Sequence, residues 1–197
     1  MNFLSIETSS NVCSITFYYK SEFICFDKEN VREHSKLLAP NCKKIINNKI
    51  NEIDFIALSI GPGSYSGIKT GCSFAKGLAY AIDKPIIPID TFDGINLSIK
   101  NKDRYYIALY SHKDYAFYQL YNSGSKFSKF ECNKISKMRD FNIYGYGFND
   151  NVIINNYYEI KPSSKNIGMI AMKKYNNLSK VSLNDIQPIF LSAGEKI

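Results

Sequence analysis

Residues 60–71, IGPGSYSGIKTG, combine a glycine-rich turn with a Lys-Thr pair, as loops that bind nucleotide phosphates do. A P-loop has the pattern G-x-x-x-x-G-K-[ST], in which backbone amides surround the phosphates and the lysine reaches them. In this chain Ile68 separates Gly67 from Lys69. Pro62 also stands where the first glycine is required. The extra residue turns Lys69 by about 100° around a helix, so the stretch is not a P-loop.

The same stretch also misses the dinucleotide-binding pattern G-x-G-x-x-G, because its glycines are spaced G-x-G-x-x-x-G. A strand that ends at a glycine turn before a helix still leaves amide groups that can hold an anion. Glu7, after the first predicted strand, could hold a metal-bound phosphate, although capping of a turn is the simpler role for this segment. The candidate nucleotide or anion site consists of Glu7, Thr8, Ser9, Gly61, Gly63 and Ser64.

No catalytic set accompanies this candidate site. A Ser-His-acid triad would need His34 or His112, and neither lies in a recognisable nucleophile setting. Ser64 does not match the nucleophile pattern G-x-S-x-G. The five cysteines are widely spaced and include no C-x-x-C pair, which argues against a disulfide framework and a zinc site. We therefore expect no catalytic residue, no metal site and no cofactor in this chain.

The composition is that of a globular protein of 197 residues, enough for one large domain or two small ones that share a core. The net charge of +7 suits an RNA partner, but lysines dominate the basic residues and are spread along the chain, as AT-rich coding would also produce. No apolar run approaches the roughly 20 residues of a membrane span. The amino terminus lacks a signal-peptide pattern, so we expect a cytoplasmic protein.

Hydrophobic patterning predicts an α/β first half. Apolar and β-branched runs predict strands at 3–6, 12–19, 23–26, 55–60 and 85–89. Apolar positions at three- and four-residue spacing predict a helix over 35–50, with a late start or a kink at Pro40. Further helices are predicted over 64–82 and from Thr91. This order predicts a mixed sheet with helices packed on it.

The second half is less regular. The pattern predicts a hairpin of strands 105–110 and 115–121, a strand at 142–146 and a helix at 166–175. The polar residues 100–103 are the best candidate for a boundary, which divides the chain into 1–100 and 101–197. If the second half is a reduced copy of the first, the chain is a short duplicated α/β fold.

The predicted helix 64–82 carries a ridge of small residues spaced four apart: Gly67, Gly71, Ala75 and Ala79. Glycine inside a helix costs about 1 kcal/mol relative to alanine, and close approach of another backbone would offset that cost at Gly71 and Gly77. Such a ridge permits close packing on a neighbouring helix. Packing on the chain's own sheet would satisfy the same pattern, and the residues alone do not separate the two interpretations.

Four segments resemble the TsaB (YeaZ) family in the same order. They are LSIETSS at 4–10, EHSKLLAP at 33–40, IGPGSYSGIKTG at 60–71 and AKGLAYAIDKPIIPIDTF at 75–92. The resemblance covers about the first 95 residues. Further on, QPIFL at 187–191 resembles the closing segment of the family, whereas Tyr110-Ser111-His112 replaces its acidic-Ala-Arg stretch.

The resemblance implies an ASKHA fold (actin-like and RNase H-like), with mixed sheets, flanking helices and two lobes. The lobe of residues 1–100 would carry the interface helices, and the lobe of residues 101–197 would be shortened. The family implies a non-catalytic scaffold or dimerization subunit that binds TsaD and supports synthesis of threonylcarbamoyladenosine (t6A) in tRNA. TsaD carries a metal-binding histidine pair, whereas Leu38 stands four residues after His34.

The resemblance also implies partners and an interface. TsaE, an ATPase, and tRNA would join the complex, with ATP and a metal ion held by the partner subunits, and a homodimer could form when TsaD is absent. Helices 35–50 and 64–82 would form a helical-bundle interface. Its predicted residues are Leu38, Cys42, Ile45, Gly67, Ile68, Gly71, Cys72, Ala75 and Ala79. The alternative is an ATP-binding actin-like enzyme (a kinase, an ATPase or peptidase-like) that uses Glu7 and the turn 61–64.

Overall fold

A five-stranded sheet forms the centre of the first half of the chain. The computed structural model describes residues 1–100, 103–148, 156–178 and 182–197. The strands are β1 (Phe3–Glu7), β2 (Cys13–Tyr19), β3 (Glu22–Lys28), β4 (Phe55–Ser59) and β5 (Ile86–Ile89). They lie in the order β3-β2-β1-β4-β5, with β2 antiparallel to β1 and β3, β4 parallel to β1, and β5 parallel to β4. All five predicted strands of this half are confirmed.

The first helix, α1, covers His34–Ile46 and contains Pro40. The predicted late start is therefore wrong. Pro40 removes the amide that would bond to the carbonyl of Lys36, but both residues are exposed, so water can reach that carbonyl. The helix stops before the predicted residue 50, because Asn47 adopts a left-handed conformation with φ 45° and ends the hydrogen-bond ladder.

The second helix, α2 (Tyr65–Ile82), agrees with the predicted range. Ser64 is its N-cap, and the Ser64 hydroxyl accepts a hydrogen bond from the Gly67 amide at 3.4 Å. The remaining helices are α3 (Thr91–Asn96), capped by Asp90, and α4 (Ser164–Leu178). Within the described ranges, no helix is both long and apolar enough to span a membrane.

A second sheet is built from the other half of the chain. Its strands are β6 (Arg104–His112), β7 (Tyr115–Asn122), β8 (Ser125–Lys126), β9 (Glu131–Lys134), β10 (Asn142–Tyr146) and β11 (Tyr157–Glu159). The order is β11-β10-β6-β7-β8, and β9 also pairs with β7. The predicted hairpin and the predicted strand 142–146 are present, whereas β8, β9 and β11 were not predicted.

The second sheet repeats the plan of the first. Strands β6, β7, β10 and β11 take the places of β1, β2, β4 and β5, with the same antiparallel and parallel pairings. A single 3-10 turn, Ile135–Lys137, stands between β9 and β10, where the first half has α1. The connection from β10 to β11, residues 147–156, is shorter than the connection from β4 to β5, residues 60–85. The predicted reduced copy agrees with this arrangement.

The helices of the two halves are interlocked. Helices α1 and α2 cover one face of the first sheet, whereas Ile167 and Ala171 of α4 are buried on its other face, with Phe3 and Phe55. The start of α4 is fixed to β2, because the Ser164 amide donates to the Ser14 hydroxyl at 2.9 Å. In return, α3 packs on the second sheet. Each half thus completes the core of the other. The predicted boundary at 100–103 includes residues 101–102, which lie outside the described ranges.

Candidate functional site

The ridge of small residues on α2 packs against the turn after β1. A Cβ atom added at Gly67 would overlap the Thr8 carbonyl oxygen, and one added at Gly71 would overlap the Thr8 hydroxyl. That hydroxyl donates a hydrogen bond to the Gly67 carbonyl at 2.8 Å. The two glycines are therefore required by a close approach within the chain itself.

The predicted interface residues are all buried in the folded chain. Leu38, Cys42 and Ile45 of α1 lie in the core between the helices and the first sheet, with exposed fractions of at most 9%. The residues of α2 share this core and are similarly buried: Gly67, Ile68, Gly71, Cys72, Ala75 and Ala79. Burial within the chain leaves little of these side chains for a partner to contact, although Leu38 also borders the groove described next. A contact through α1 and α2 stays a prediction.

The surface that the two helices do expose contains a groove of about 420 Å³. We call it the α1–α2 groove, lined by Ser35, Leu38, Lys69, Thr70, Ser73 and Phe74. Gly77 lies one turn beyond Ser73 on the exposed side of α2. Among the described residues, nothing lies within 4 Å of a Cβ added at Gly77. Within the described part of the chain, no close approach of another atom explains this glycine.

Glu7 of the candidate anion site is completely buried. Its Oε1 atom accepts a hydrogen bond from the Ser9 amide at 2.5 Å, and Oε2 has no hydrogen-bond partner among the described residues. Burial raises the pKa of Glu7, and the nearby Ser59 and Ser9 groups oppose that shift without cancelling it. The carboxyl group is therefore shielded from solvent, and burial disfavours its charged form.

The turn 61–64 closes onto the turn after β1. The Ser64 amide donates to the Ser9 carbonyl at 2.6 Å, and a Cβ added at Gly63 would overlap that carbonyl. On the other side, Gly61 lies against the carbonyl of Ile189, with φ 100°. The two turns therefore contact each other directly through Ser9, Gly63 and Ser64, and binding of an anion there stays a prediction.

A larger cavity, of about 810 Å³, opens between the two sheets. We call it the inter-sheet cleft. Of the candidate anion residues, only Ser9, Gly63 and Ser64 line it. Other lining residues are Ser10, Asn11, Val31, Arg32, His34, Tyr65, Ser66, Leu109, Tyr110, Ser111, His112, Phe117, Cys132, Tyr146, Gly147, Phe190, Leu191, Ser192 and Ala193. Both halves of the chain therefore contribute to this surface.

Phe190 reaches the cleft because the preceding residue extends the first sheet. The Ile189 amide donates to the Ile60 carbonyl at 2.7 Å, and the Phe190 ring then lies 4.6 Å, centroid to centroid, from the Tyr65 ring. The sequence holds no local pattern that predicts this contact, because it depends on a pairing over more than a hundred residues.

His34 is a second cleft residue whose surroundings the sequence did not predict. Its Nε2 atom lies 3.0 Å from the Ser10 carbonyl oxygen, which can only accept, so Nε2 carries the hydrogen. The other ring nitrogen, Nδ1, has no hydrogen-bond partner in the described part of the chain. Burial lowers the pKa of His34, although the bond to Ser10 opposes the shift. The described residues include no group of three or more His, Cys, Asp or Glu that could hold a metal ion.

Sequence comparison identifies the family. The model of TsaD, tRNA N6-adenosine threonylcarbamoyltransferase, matches residues 28–130, slightly more than half of the chain. The chain belongs to the family that this model describes. The predicted resemblance is confirmed by a relative named tRNA threonylcarbamoyladenosine biosynthesis protein TsaB, from Haemophilus influenzae. It is 34% identical over 92 residues, which are 45% of this chain and 39% of the relative.

Other relatives match a similar share of the chain. TsaB of Escherichia coli is 28% identical over 94 residues, 46% of this chain and 41% of the relative. A tRNA N6-adenosine threonylcarbamoyltransferase of Borrelia garinii is 37% identical over 109 residues, 46% of this chain and 32% of the relative. The matched part thus spans about two fifths of the length of the TsaB relatives.

Solved structures confirm the predicted fold class. YeaZ from Pseudomonas aeruginosa superposes with a TM-score of 0.78 at 16% identity, covering 96% of this chain and 99% of that one. A second structure, described as an uncharacterized protein with similarity to peptidase YEAZ from the same organism, has a TM-score of 0.80 at 15% identity. It covers 97% of this chain and 99% of its own. At such low identity the likeness shows the fold alone.

Proposed function

We propose that this chain is a non-catalytic subunit of a complex that makes t6A in tRNA, and that it binds a TsaD-like enzyme. The proposal is carried by the TsaB relatives, which are named as threonylcarbamoyladenosine biosynthesis proteins. The matched residues include α1 and α2, which present the α1–α2 groove. We propose further that a TsaE-like ATPase and tRNA join the complex in the cytoplasm, and that partner subunits hold ATP and the metal ion.

The exposed sides of α1 and α2 are the proposed contact with the TsaD-like partner. The TsaD family model also covers these two helices, so the partner would present an equivalent pair. Two such pairs would pack as four helices about an approximate twofold axis, as ridges of one pair enter grooves of the other. A second copy of this chain could use the same surface, which gives a homodimer when the partner is absent.

Gly77 supports a contact on this side of α2. A glycine within a helix costs about 1 kcal/mol relative to alanine, and no atom of the described residues lies near enough to Gly77 to exclude a side chain. A partner backbone that comes close to Gly77 and Ser73 would explain the glycine. Gly71, by contrast, is already explained by its contact with Thr8.

The state of Glu7 supports the non-catalytic role. An ATP-dependent enzyme of this fold would use the carboxylate after β1 together with the turn 61–64. In this chain Glu7 is buried and its pKa is raised by burial, while the turn is hydrogen bonded to Ser9. Nothing in the described residues favours the alternative of an ATP-binding enzyme that uses Glu7.

Co-purification tests the proposal directly. The chain is co-expressed with the TsaD-like protein of its own organism, and the parent is compared with Ser73→Arg and Gly77→Arg. Both positions are exposed, so Ser73→Arg should keep the melting temperature of the parent. Gly77→Arg should keep or raise it, because arginine favours a helix more than glycine does. Because an arginine would keep the helices apart, we expect both variants to lose the complex and the t6A content of tRNA in a complementation assay.

The matched control is Asn176→Arg, which places the same side chain on the exposed side of α4. It should leave both the complex and t6A formation intact. If Ser73→Arg and Gly77→Arg still co-purify with the partner, the α1–α2 surface is not the interface. If the parent itself neither binds a TsaD-like protein nor restores t6A, the proposed function is wrong.

A further inference from the structure

Strand β3 is a free edge of the first sheet. In the described part of the chain it pairs with β2 alone, and the backbone groups along its other side can bond to a further strand. Proteins usually keep such edges short or place a proline in them. The opposite edge of the same sheet follows this rule, because β5 has four residues and contains Pro88. Strand β3 has seven residues and no proline, so it is open to pairing.

The apolar side chains of β3 are exposed to solvent. Phe23 and Ile24 are each 37% exposed, and Cys25 is exposed as well. Successive side chains of a strand point to opposite faces of the sheet, so both faces present an apolar residue at this edge. A strand added beside β3 would therefore cover apolar surface on both faces.

The β2–β3 hairpin determines which backbone groups of β3 are free. Its two-residue turn consists of Lys20 and Ser21, both with positive φ, and the first pair of the ladder is Tyr19 with Glu22. In such a hairpin the pair beside the turn is hydrogen bonded, and bonded and non-bonded pairs then alternate. Residues 22, 24, 26 and 28 therefore bond to β2. The amide and carbonyl groups of residues 23, 25 and 27 point to the free edge.

The charges along β3 match those of a second copy of the same strand. When two copies pair antiparallel around Cys25, the free groups of residues 23, 25 and 27 meet those of 27, 25 and 23. We call this arrangement the twofold register. It places Glu22 opposite Lys28 at both ends, and neither residue takes part in an ion pair within the described ranges. A shift by two residues would instead place Lys28 opposite Ile24, or Glu22 opposite Phe26.

Lys165 of α4 supplies a further complementary charge. Its ammonium group lies 4.4 Å from the centre of the Phe23 ring. In the twofold register, Asp27 of the second copy stands opposite Phe23, and directly opposed side chains lie on the same face of a sheet. Asp27 is exposed and has no ion pair with any described residue. Lys165 of one copy would therefore attract Asp27 of the other.

We propose that two copies of this chain pair through their β3 edges in the twofold register, so that their first sheets form one continuous sheet. The β3 edge shares no residue with the α1–α2 groove. This pairing thus goes beyond the proposed binding of a TsaD-like protein, and either proposal can fail without the other.

Sedimentation velocity of the purified chain at increasing concentration tests the pairing. Every variant carries Gly77→Arg, so that contact through the α1–α2 surface does not contribute. We expect a reversible dimer. Lys28→Glu and Glu22→Lys should each raise its dissociation constant about tenfold, because both end pairs then bring like charges together. The double reversal restores opposite charges and should recover the original dissociation constant. Both positions are exposed, so the melting temperature should not change.

The matched control is Lys129→Glu, which makes the same change of net charge at an exposed position of the second half. It should leave the dissociation constant unchanged. A chain that stays monomeric up to its solubility limit overturns the proposal. So does a double reversal that fails to recover the dimer lost in the single reversals.

Cys25 offers an independent check of the register. The other four cysteines are buried. In the twofold register the two Cys25 residues form a hydrogen-bonded pair, with Cα atoms about 5.5 Å apart, which a disulfide can bridge. Oxidation with diamide should therefore give a covalent dimer on a non-reducing gel, and Cys25→Ser should give none. An equal yield of covalent dimer from Lys28→Glu and from its parent would contradict the register.

Discussion

At the scale of single residues, Glu7 shows how burial decides what a carboxyl group can do. Its position after β1 would suit a ligand of a metal-bound phosphate, yet it is completely buried and has one oxygen atom without a partner among the described residues. A carboxylate in such surroundings loses the solvation of its charge. Its role here is to accept a hydrogen bond from the Ser9 amide, which holds the turn after β1. In the same turn, the Thr8 hydroxyl donates to the Gly67 carbonyl.

Glu7→Gln should therefore stabilise the chain in a pH-dependent way. Below the unfolded pKa of about 4.5, Glu7 is neutral in both states and the two proteins should differ least. As the pH rises, the unfolded state of the parent releases the proton first, because the folded pKa is raised. The parent thus loses stability until the pH passes that folded pKa. Glutamine has no such proton, so its advantage in urea denaturation should grow with pH and then level off.

The control for this experiment is Glu22→Gln, because Glu22 is exposed at the start of β3. This variant also loses one carboxyl group, so the pH dependence of Glu7→Gln is compared with that of Glu22→Gln. A Glu7→Gln variant that becomes less stable than the parent as the pH rises would show that the ionised carboxylate is favoured in the folded chain, contrary to the structure.

At the scale of elements, the glycines of α2 have two different explanations. Gly67 and Gly71 face the turn after β1, whereas Gly77 faces solvent. The sequence pattern of small residues four apart could predict that something approaches the helix closely. It could not say whether that neighbour is the chain's own sheet, because the pattern repeats on two sides of the helix: residues 67, 71, 75 and 79 are buried, while 73, 77 and 81 are exposed.

Alanine substitutions at Gly71 and Gly77 should therefore change stability in opposite directions. Gly71→Ala should destabilise the chain by about 1–3 kcal/mol, because the added methyl group would be overpacked against the Thr8 side chain. Gly77→Ala should stabilise it by about 1 kcal/mol, since the added methyl group meets no atom of the described chain and alanine favours the helix. Thermal and urea denaturation of the isolated chain measure both changes in stability. Equal signs for the two variants would contradict this assignment of the helix faces.

Local patterns predicted the elements that carry strong signals. Ser64 before an apolar-periodic stretch predicted the start of α2, and the alternating aromatic runs predicted the β6–β7 hairpin. Strands β8, β9 and β11 have only two to four residues, which is too short for a periodic pattern. Pro40 misled the prediction of α1, because an exposed carbonyl tolerates the loss of its partner.

The candidate site was only partly predictable, because it depends on contacts between distant parts of the chain. Ser9 and Ser64 of the candidate site lie close together, since the turns 7–9 and 61–64 follow neighbouring parallel strands, β1 and β4. Their closure depends on the hydrogen bond from the Ser64 amide to Ser9, which no local pattern encodes. The cleft also needs Phe190 and residues 109–112 from the second half. Such long-range convergence is a property of the assembled fold.

At the scale of the whole molecule, the two halves are joined by exchange of helices. Helix α4 of the second half completes the core of the first sheet, and α3 of the first half completes that of the second. Removal of either half would expose an apolar face of the other. The chain should therefore unfold in one cooperative transition, although its two sheets repeat one plan.

A charged cluster reinforces this junction at the amino terminus of α3. Asp90 caps α3 by accepting the Asp93 amide at 2.7 Å. Lys126 of β8 pairs with Asp90 and lies 2.9 Å from the Asp93 carboxylate. Burial and the neighbouring Asp93 raise the pKa of Asp90, and Lys126 opposes them. Burial in turn disfavours the charge of Lys126, but the two carboxylates outweigh it and raise the pKa of Lys126.

Replacement of Lys126 by methionine should therefore weaken the junction. Methionine keeps most of the apolar stem but leaves Asp90 and Asp93 close together without their shared cation, which should cost about 1–3 kcal/mol in urea denaturation. Lys174→Met is the matched control, because among the described residues Lys174 forms an ion pair with Asp93 alone, at 3.3 Å, and is more exposed than Lys126. The Lys174→Met variant should lose at most about 1 kcal/mol of stability. Equal losses for the two variants would mean that the cluster acts as ordinary surface charge, and that buried apolar contacts alone join the halves.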